Sequence, residues 1–235
     1  MIADLLILLL LIFAAAASAI RKKLTPLAAG TGVILGVLIY AGSGYMGLTL
    51  LAAFFIAGTA ATSWKKNEKL GIKGSSVHQT MRDTGQVLAN AAVAAILCGM
   101  ALLLPQYKSL MLLMMAASLA SAMSDTLSSE LGMVYGRRCY HILTWQPDER
   151  GLDGVISIEG LLFGIAGSAL LAAIYSLFTA TGPHPFFLII IAGTLGNLAD
   201  SVLGALFERR GRLSNDLVNF LNTLFAACFA GALAS

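Results

Sequence analysis

Eight apolar runs, each close to the length that spans a bilayer, dictate what this chain can become. They cover Ile2–Ile20, Leu24–Tyr40, Tyr45–Trp64, Gln86–Leu104, Ser109–Met133, Val155–Thr179, Pro185–Phe207 and Asn215–Ala234. About 17–25 helical residues cross a hydrocarbon core, and lipid offers the backbone no other partners, so such runs read as α-helices. The expected fold is all-α, a polytopic transmembrane helical bundle of about eight spans. It forms a single integral membrane domain over residues 1–235. With 58% hydrophobic and 11% charged residues, nothing remains for a sizeable soluble domain. The first run lacks a basic start and carries Arg21, Lys22 and Lys23 after it, so it reads as a retained helix rather than a leader.

Charge sets the orientation. The loops at Ala41–Gly44, Pro105–Lys108 and Ala180–His184 are short and almost uncharged. Those at Arg21–Lys23, Lys65–Gly85, Val134–Gly154 and Glu208–Ser214 hold every Lys and Arg except Lys108. The positive-inside rule makes the basic side cytoplasmic, with both termini outside. No basic stripe alternates with aromatics, so nucleic acid is not an expected partner. Cys98, Cys139 and Cys228 lie far apart, without metal-ligand or disulfide-motif spacing, and read as small hydrophobes.

Polar residues inside spans are costly and face polar cavities. Here they gather at the basic ends of five spans. Gln86 and Asn90 open the fourth, while Asp125, Ser129 and Glu130 close the fifth. Asp153, Ser157 and Glu159 open the sixth, and Asn197, Asp200 and Ser201 lie late in the seventh. Asn215, Asp216, Asn219 and Asn222 open the eighth, with three asparagines on one helical stripe. Carboxylates sharing a pocket repel unless a cation sits between them. Hard oxygen donors favour Mg²⁺, which commonly comes with substrate phosphates. Arg82, Arg137, Arg138, Arg150, Arg209, Arg210 and Arg212 surround this layer and suit phosphate oxygens. Acid within and arginine at the rim is the chemistry of metal-dependent phosphoryl transfer.

Blander readings apply to individual residues. Asp153, Ser214, Asn215 and Asp216 sit where helix caps belong, and Asn stripes also glue helices together. The run Gly42 to Gly47 matches GxGxxG, yet it lies in a short turn on the side away from the basic loops, with no strand–helix unit. Gly32 and Gly36 form a GxxxG packing motif. His78, His141 and His184 have no ligand partner by spacing. A weak internal echo, Ser124-Asp125-Thr126-Leu127 against Ala199-Asp200-Ser201-Val202, points to two related halves meeting at one site.

The same residues bring a family resemblance. Arg82 through Asn90 resembles an R-x-x-x-Q-V-x-A-N segment, and Ser124 through Gly132 resembles A-D-T-x-A-S-E-x-G. Gly151 through Ser157 is similar to G-T-D-G-G-V-S, with Leu152 in place of Thr and Val155 in place of Gly. Gly196 through Gly204 resembles G-x-x-x-D-S-x-L-G, and Asn215 through Phe220 resembles N-D-x-V-N-F. These motifs mark the multi-pass membrane protein family that includes the plant and cyanobacterial phytyl-phosphate kinases. The resemblance implies phosphorylation of a prenyl monophosphate lipid to the diphosphate, with a nucleoside triphosphate (CTP or ATP) as co-substrate. On that reading Asp125, Glu130 and Asp200 are catalytic and bind Mg²⁺, with Asp153 and Glu159 as further metal candidates. Gln86, Asn90, Ser129, Ser157, Asn197, Ser201, Asn215, Asp216, Asn219 and Asn222 would line the substrate and nucleotide site, and Arg82 and Arg138 would neutralise charge. Two other functions stay open: a lipid-phosphate cytidylyl or phospho-alcohol transferase, and a small-molecule or ion-coupled transporter.

Overall fold

The computed structural model describes residues 2–72, 81–180 and 182–234. His78 and Lys73 of the Lys65–Gly85 loop, and Thr181 of a short one, lie outside the described residues. The helices run α1 (Ile2–Ile20), α2 (Pro26–Ser43), α3 (Tyr45–Ser63), α4 (Lys66–Lys69) and α5 (Thr84–Leu103). They continue as α6 (Lys108–Tyr135), α7 (Ile158–Thr179), α8 (Pro183–Leu203) and α9 (Asn215–Ala234). Among the described residues, eight helices are long and apolar enough to cross a membrane, as the sequence predicts.

Local chemistry sets the helix starts. Thr25 Oγ1 accepts from the Ala28 amide at 3.2 Å, and Pro26 follows at the first helical position, where its missing N–H costs nothing. Asp83 and Gln86 form a capping box on α5, with the Gln86 amide donating to Asp83 Oδ1 at 3.0 Å. Ser157 Oγ caps α7 through the Gly160 amide at 3.1 Å. Between α2 and α3 the turn shrinks to one residue, Gly44, whose φ of 66° favours glycine.

Two segments depart from the all-α expectation. Val155–Ser157, assigned by hydropathy to the sixth span, is a strand, β2, paired antiparallel with β1 (Cys139–His141). The register sets Cys139 opposite Ser157 and His141 opposite Val155. Gly154 (φ 75°) permits the tight approach that precedes β2, and a side chain there would collide with Ala205. Only from Ile158 does the backbone become helical. The seventh span ends in a π turn, Gly204–Glu208, which widens α8 where it meets the hairpin.

The core centres on α6. Every residue from Met115 through Ser124 is buried, so this stretch is enclosed on all sides by α3, α5, α7, α8 and α9. Alanine, serine and glycine make that possible by letting backbones close up. Gly193 and Gly196 of α8 lie against Ala120 and Ser121, with no room for a Cβ. By contrast, α1 buries no side chain and packs chiefly on α2. Of the predicted GxxxG pair, Gly36 touches Leu11 of α1, whereas Gly32 faces open space.

Candidate functional site

The helices that enclose α6 splay at the bundle's basic end and leave a cavity of about 760 Å³. Its walls come from α3, α5, α6, the β1–β2 hairpin, α8 and α9. Among the sequence-predicted residues, Arg82, Gln86, Asn90, Asp125, Ser129, Glu130, Asp153, Ser157, Asn197, Asp200, Ser201, Asn215, Asp216 and Asn219 line it. The stripes read from helical spacing therefore converge on one space.

Its inner wall is a carboxylate pair. Asp125 on α6 and Asp200 on α8 meet directly, and Asn219 of α9 reaches both. With its nitrogen turned toward them, the Asn219 amide donates to Asp125 Oδ2 at 3.3 Å and Asp200 Oδ1 at 3.1 Å. That orientation satisfies its neighbours better than the reverse, which would face its oxygen toward the acids. Asn222 lies behind, fully buried and off the cavity surface. Its Nδ2 donates to Asp200 Oδ1 at 2.6 Å, and its Oδ1 accepts from Ser121 Oγ at 3.0 Å. Asn222 is thus a supporting residue of Asp200 rather than part of the lining.

Glu130 breaks from this group. Its Oε2 meets Lys69 Nζ at 2.6 Å, and Lys69, fully buried, also donates to the Ala61 carbonyl at 2.8 Å. Among the described residues no group of three or more His, Cys, Asp or Glu side chains could hold a metal ion. The predicted trio of Asp125, Glu130 and Asp200 therefore does not assemble. A buried lysine claims Glu130, and the acidic pair stands without it.

The arginines also divide. Arg82 and Arg150 line the cavity. Arg138 is exposed and lines no part of it, and Arg137, Arg210 and Arg212 likewise stay outside. Arg209 grips Asp148 with both terminal nitrogens, at 2.6 and 3.4 Å, which holds the Asp148 carboxyl below its ordinary pKa. Glu159 turns away from the cavity and accepts the Arg137 amide at 3.3 Å, so it belongs to the α7 entrance. Asp153 has its pKa raised by burial, partly offset by Arg209.

Several capping interpretations hold alongside the lining. Asp83 and Gln86 cap α5, and Asn90 Nδ2 donates to the Gln86 carbonyl at 2.8 Å. The Asp216 carboxylate lies against Gly85, so a side chain there would push that carboxylate aside.

Sequence reasoning missed Glu208, Lys69 and the lining residues Thr62, Thr126 and Ser128. Glu208 enters the cavity because the π turn rotates it inward, and its place at the foot of a span was the available signal. Lys69 carried none, since one lysine in a basic loop looks like any other.

Comparison with known proteins agrees with this architecture. The family described as integral membrane protein DUF92 matches residues 9–227. The chain belongs to that family. An uncharacterised membrane protein of Synechocystis sp. is 34% identical, over 89% of this chain and 82% of its own length. One of Methanocaldococcus jannaschii is 36% identical, over 81% and 77%. The chloroplastic protein VTE6 of Arabidopsis thaliana is 30% identical over 80% of this chain, and the match spans 59% of that protein. No solved structure matches.

Proposed function

We propose that this family member is a membrane-embedded kinase that phosphorylates a prenyl (phytyl-like) monophosphate to the diphosphate. A nucleoside triphosphate is the phosphoryl donor, and the basic, cavity-bearing end faces the cytoplasm. The observation that carries this reading is the meeting of Asp125, Asp200 and Asn219 inside a cavity that also presents Arg82 and Arg150. The motif resemblance to phytyl-phosphate kinases points the same way, and the match to VTE6 supports it.

The donor set fits Mg²⁺ as it travels with a nucleotide. That ion is usually held by one or two carboxylates, with phosphates and waters completing its shell. Asp125 and Asp200 would hold it, and Asn219 fixes their orientation. When bound, the ion neutralises charge shared by the nucleotide phosphates. A third carboxylate is not required, which accommodates the engagement of Glu130 by Lys69.

The acceptor is already a nucleophile. A phosphomonoester oxygen attacks the γ-phosphorus, the bond from that phosphorus to the bridging β–γ oxygen breaks, and the nucleoside diphosphate leaves. No strong general base is needed; catalysis consists of alignment and relief of repulsion between two anions. Arg82 and Arg150 supply fixed positive charge, while Asn90, Asn197 and Asn215 offer neutral amides for orienting phosphate or nucleotide.

Purified protein should convert geranylgeranyl or phytyl monophosphate to the diphosphate when given CTP or ATP and Mg²⁺. Mass spectrometry separates this from nucleotidyl transfer, which would add a nucleoside monophosphate instead. Accumulation of unmodified substrate in proteoliposomes, with no product in either assay, would replace the kinase with a carrier.

A further inference from the structure

The cavity has two ends of different depth, and Arg82 marks the deeper one. Its backbone is pinned: the Arg82 amide donates to the Lys23 carbonyl and its own carbonyl accepts from the Thr25 amide, both at 3.0 Å. From that fixed point the guanidinium reaches onto α3, where a Cβ on Gly58 would lie 3.0 Å from Nη2 and 3.3 Å from Thr126 Cγ2. Gly58 stands five residues before the last residue of α3, Ser63, about 7.5 Å along the helix at 1.5 Å per residue. The positive charge therefore sits within the spanning part of the bundle. Arg150, in contrast, belongs to the segment between β1 and β2, outside every spanning helix.

Arg82 is also uncommitted. Among the described residues no hydrogen bond or ion pair engages its guanidinium. Glu130 acts on it through its charge, yet that carboxylate's close contact is with Lys69. Burial leaves the guanidinium short of water, and it stays protonated in proteins. Five donors on a desolvated cation, open to a cavity, call for an anion with several oxygens.

We infer that Arg82 is the head-group subsite for the acceptor, a phosphomonoester on a lipid, while the nucleotide occupies the outer end beside Arg150 and the Gly151–Ser157 segment. The assignment rests on the kinase reading and adds the direction in which substrates lie. A phosphate anchored in a bilayer arrives at the depth of Gly58; a soluble nucleotide enters from the hairpin. Gly58 is then a specificity determinant, because it leaves the guanidinium room to lie against α3.

Binding and turnover together test this. Equilibrium binding of geranylgeranyl monophosphate, inorganic phosphate and a non-hydrolysable nucleotide triphosphate with Mg²⁺ would be measured on detergent-purified protein, for wild type, Arg82→Gln, Gly58→Ala and Arg150→Gln. Loss of one charged phosphate contact should weaken the prenyl monophosphate about 10- to 100-fold in Arg82→Gln. Gly58→Ala, which displaces the end of the Arg82 side chain and presses lightly on Thr126 Cγ2, should weaken it several-fold. Nucleotide binding should stay within about twofold in both variants, and Arg150→Gln should show the reverse pattern. Inorganic phosphate should bind far more weakly than the prenyl ester; equal affinity would make the subsite one for free phosphate and overturn the inference. Arg82→Gln weakening the nucleotide alone, or both ligands equally, would overturn it too. If the wild type turns over but the acceptor KM is unchanged in Arg82→Gln, the subsite falls and the kinase stands. If the binding pattern appears without turnover on any nucleotide, the kinase falls and the subsite stands.

Discussion

Asp125 and Glu130 lie five residues apart on α6, and both line the same cavity, yet they belong to different worlds. Asp125 looks across to another carboxylate and is steadied by a neutral amide from α9. Glu130 looks toward α4 and is closed off by the ammonium of Lys69. The difference separates two uses of a buried acid. One is set against a second acid and a neutral amide, with no protein cation beside it among the described residues, which leaves the pair open to a metal ion; the other has its charge matched within the protein. Sequence position says little about which is which, because the deciding partner comes from another helix.

Substitutions can break this contrast. The largest effect is expected from Asp125→Asn or Asp200→Asn. Either should cut turnover on the prenyl monophosphate about 1,000-fold, a loss of roughly 4 kcal/mol in a metal-assisted step, and raise the Mg²⁺ concentration needed. Glu130→Gln should leave the Mg²⁺ titration midpoint where it was. A shifted midpoint in Glu130→Gln would return that residue to the metal.

Next comes Lys69→Met. It takes the Lys69 ammonium away from the buried Glu130 carboxylate and should cost about 3 kcal/mol of stability, read as a lowered Tm in detergent. Adding Glu130→Gln should restore more than half of the loss; simple additivity would show that the two side chains do not depend on each other. Asn219→Ala removes a donor shared by two acids and should slow turnover about tenfold, as loss of a hydrogen bond to a charged group does, without altering Tm much.

The smallest effect concerns the outer loop, where Asp148 is paired with Arg209. A carboxyl held below its ordinary value stabilises at neutral pH, and that contribution drains away as pH falls through its folded value. Wild type and Asp148→Asn should therefore differ slightly in Tm at pH 7, with the gap starting to close near pH 3.8 and vanishing below the lowered folded value. Persistence of the difference in strong acid would mean that the pairing is not its source.

Much of this was legible in the sequence. Hydropathy located the spans because bilayer thickness imposes a length that composition alone satisfies. The stripes at Gln86/Asn90 and Asn215/Asn219 faced the cavity because lipid would have rejected them. Three things escaped. The π turn that swings Glu208 inward is a backbone adjustment without a residue signature. The β1–β2 pairing joins segments whose contact no local pattern encodes, so Val155–Ser157 passed for the start of a helix. The burial of Lys69 depends on the Ala61 carbonyl and on Glu130, one in α3 and one in α6. Arg138 and Glu159 failed for a simpler reason: a residue beside a site, in a loop or in the first turn of a helix, need not point at it.

The chain from Ser121 through Asn222 to Asp200 has a consequence for how the cavity can be tuned. Ser121 sits a full turn deeper in the apolar interior than Asp125, beyond the reach of any soluble reactant. By steering the Asn222 amide, this hydroxyl governs which edge of Asp200 is presented to the cavity. The face that Asp200 turns to the cavity is thereby answerable to a single oxygen atom in the apolar interior. On the kinase reading, variation at Ser121 should retune turnover without touching either substrate.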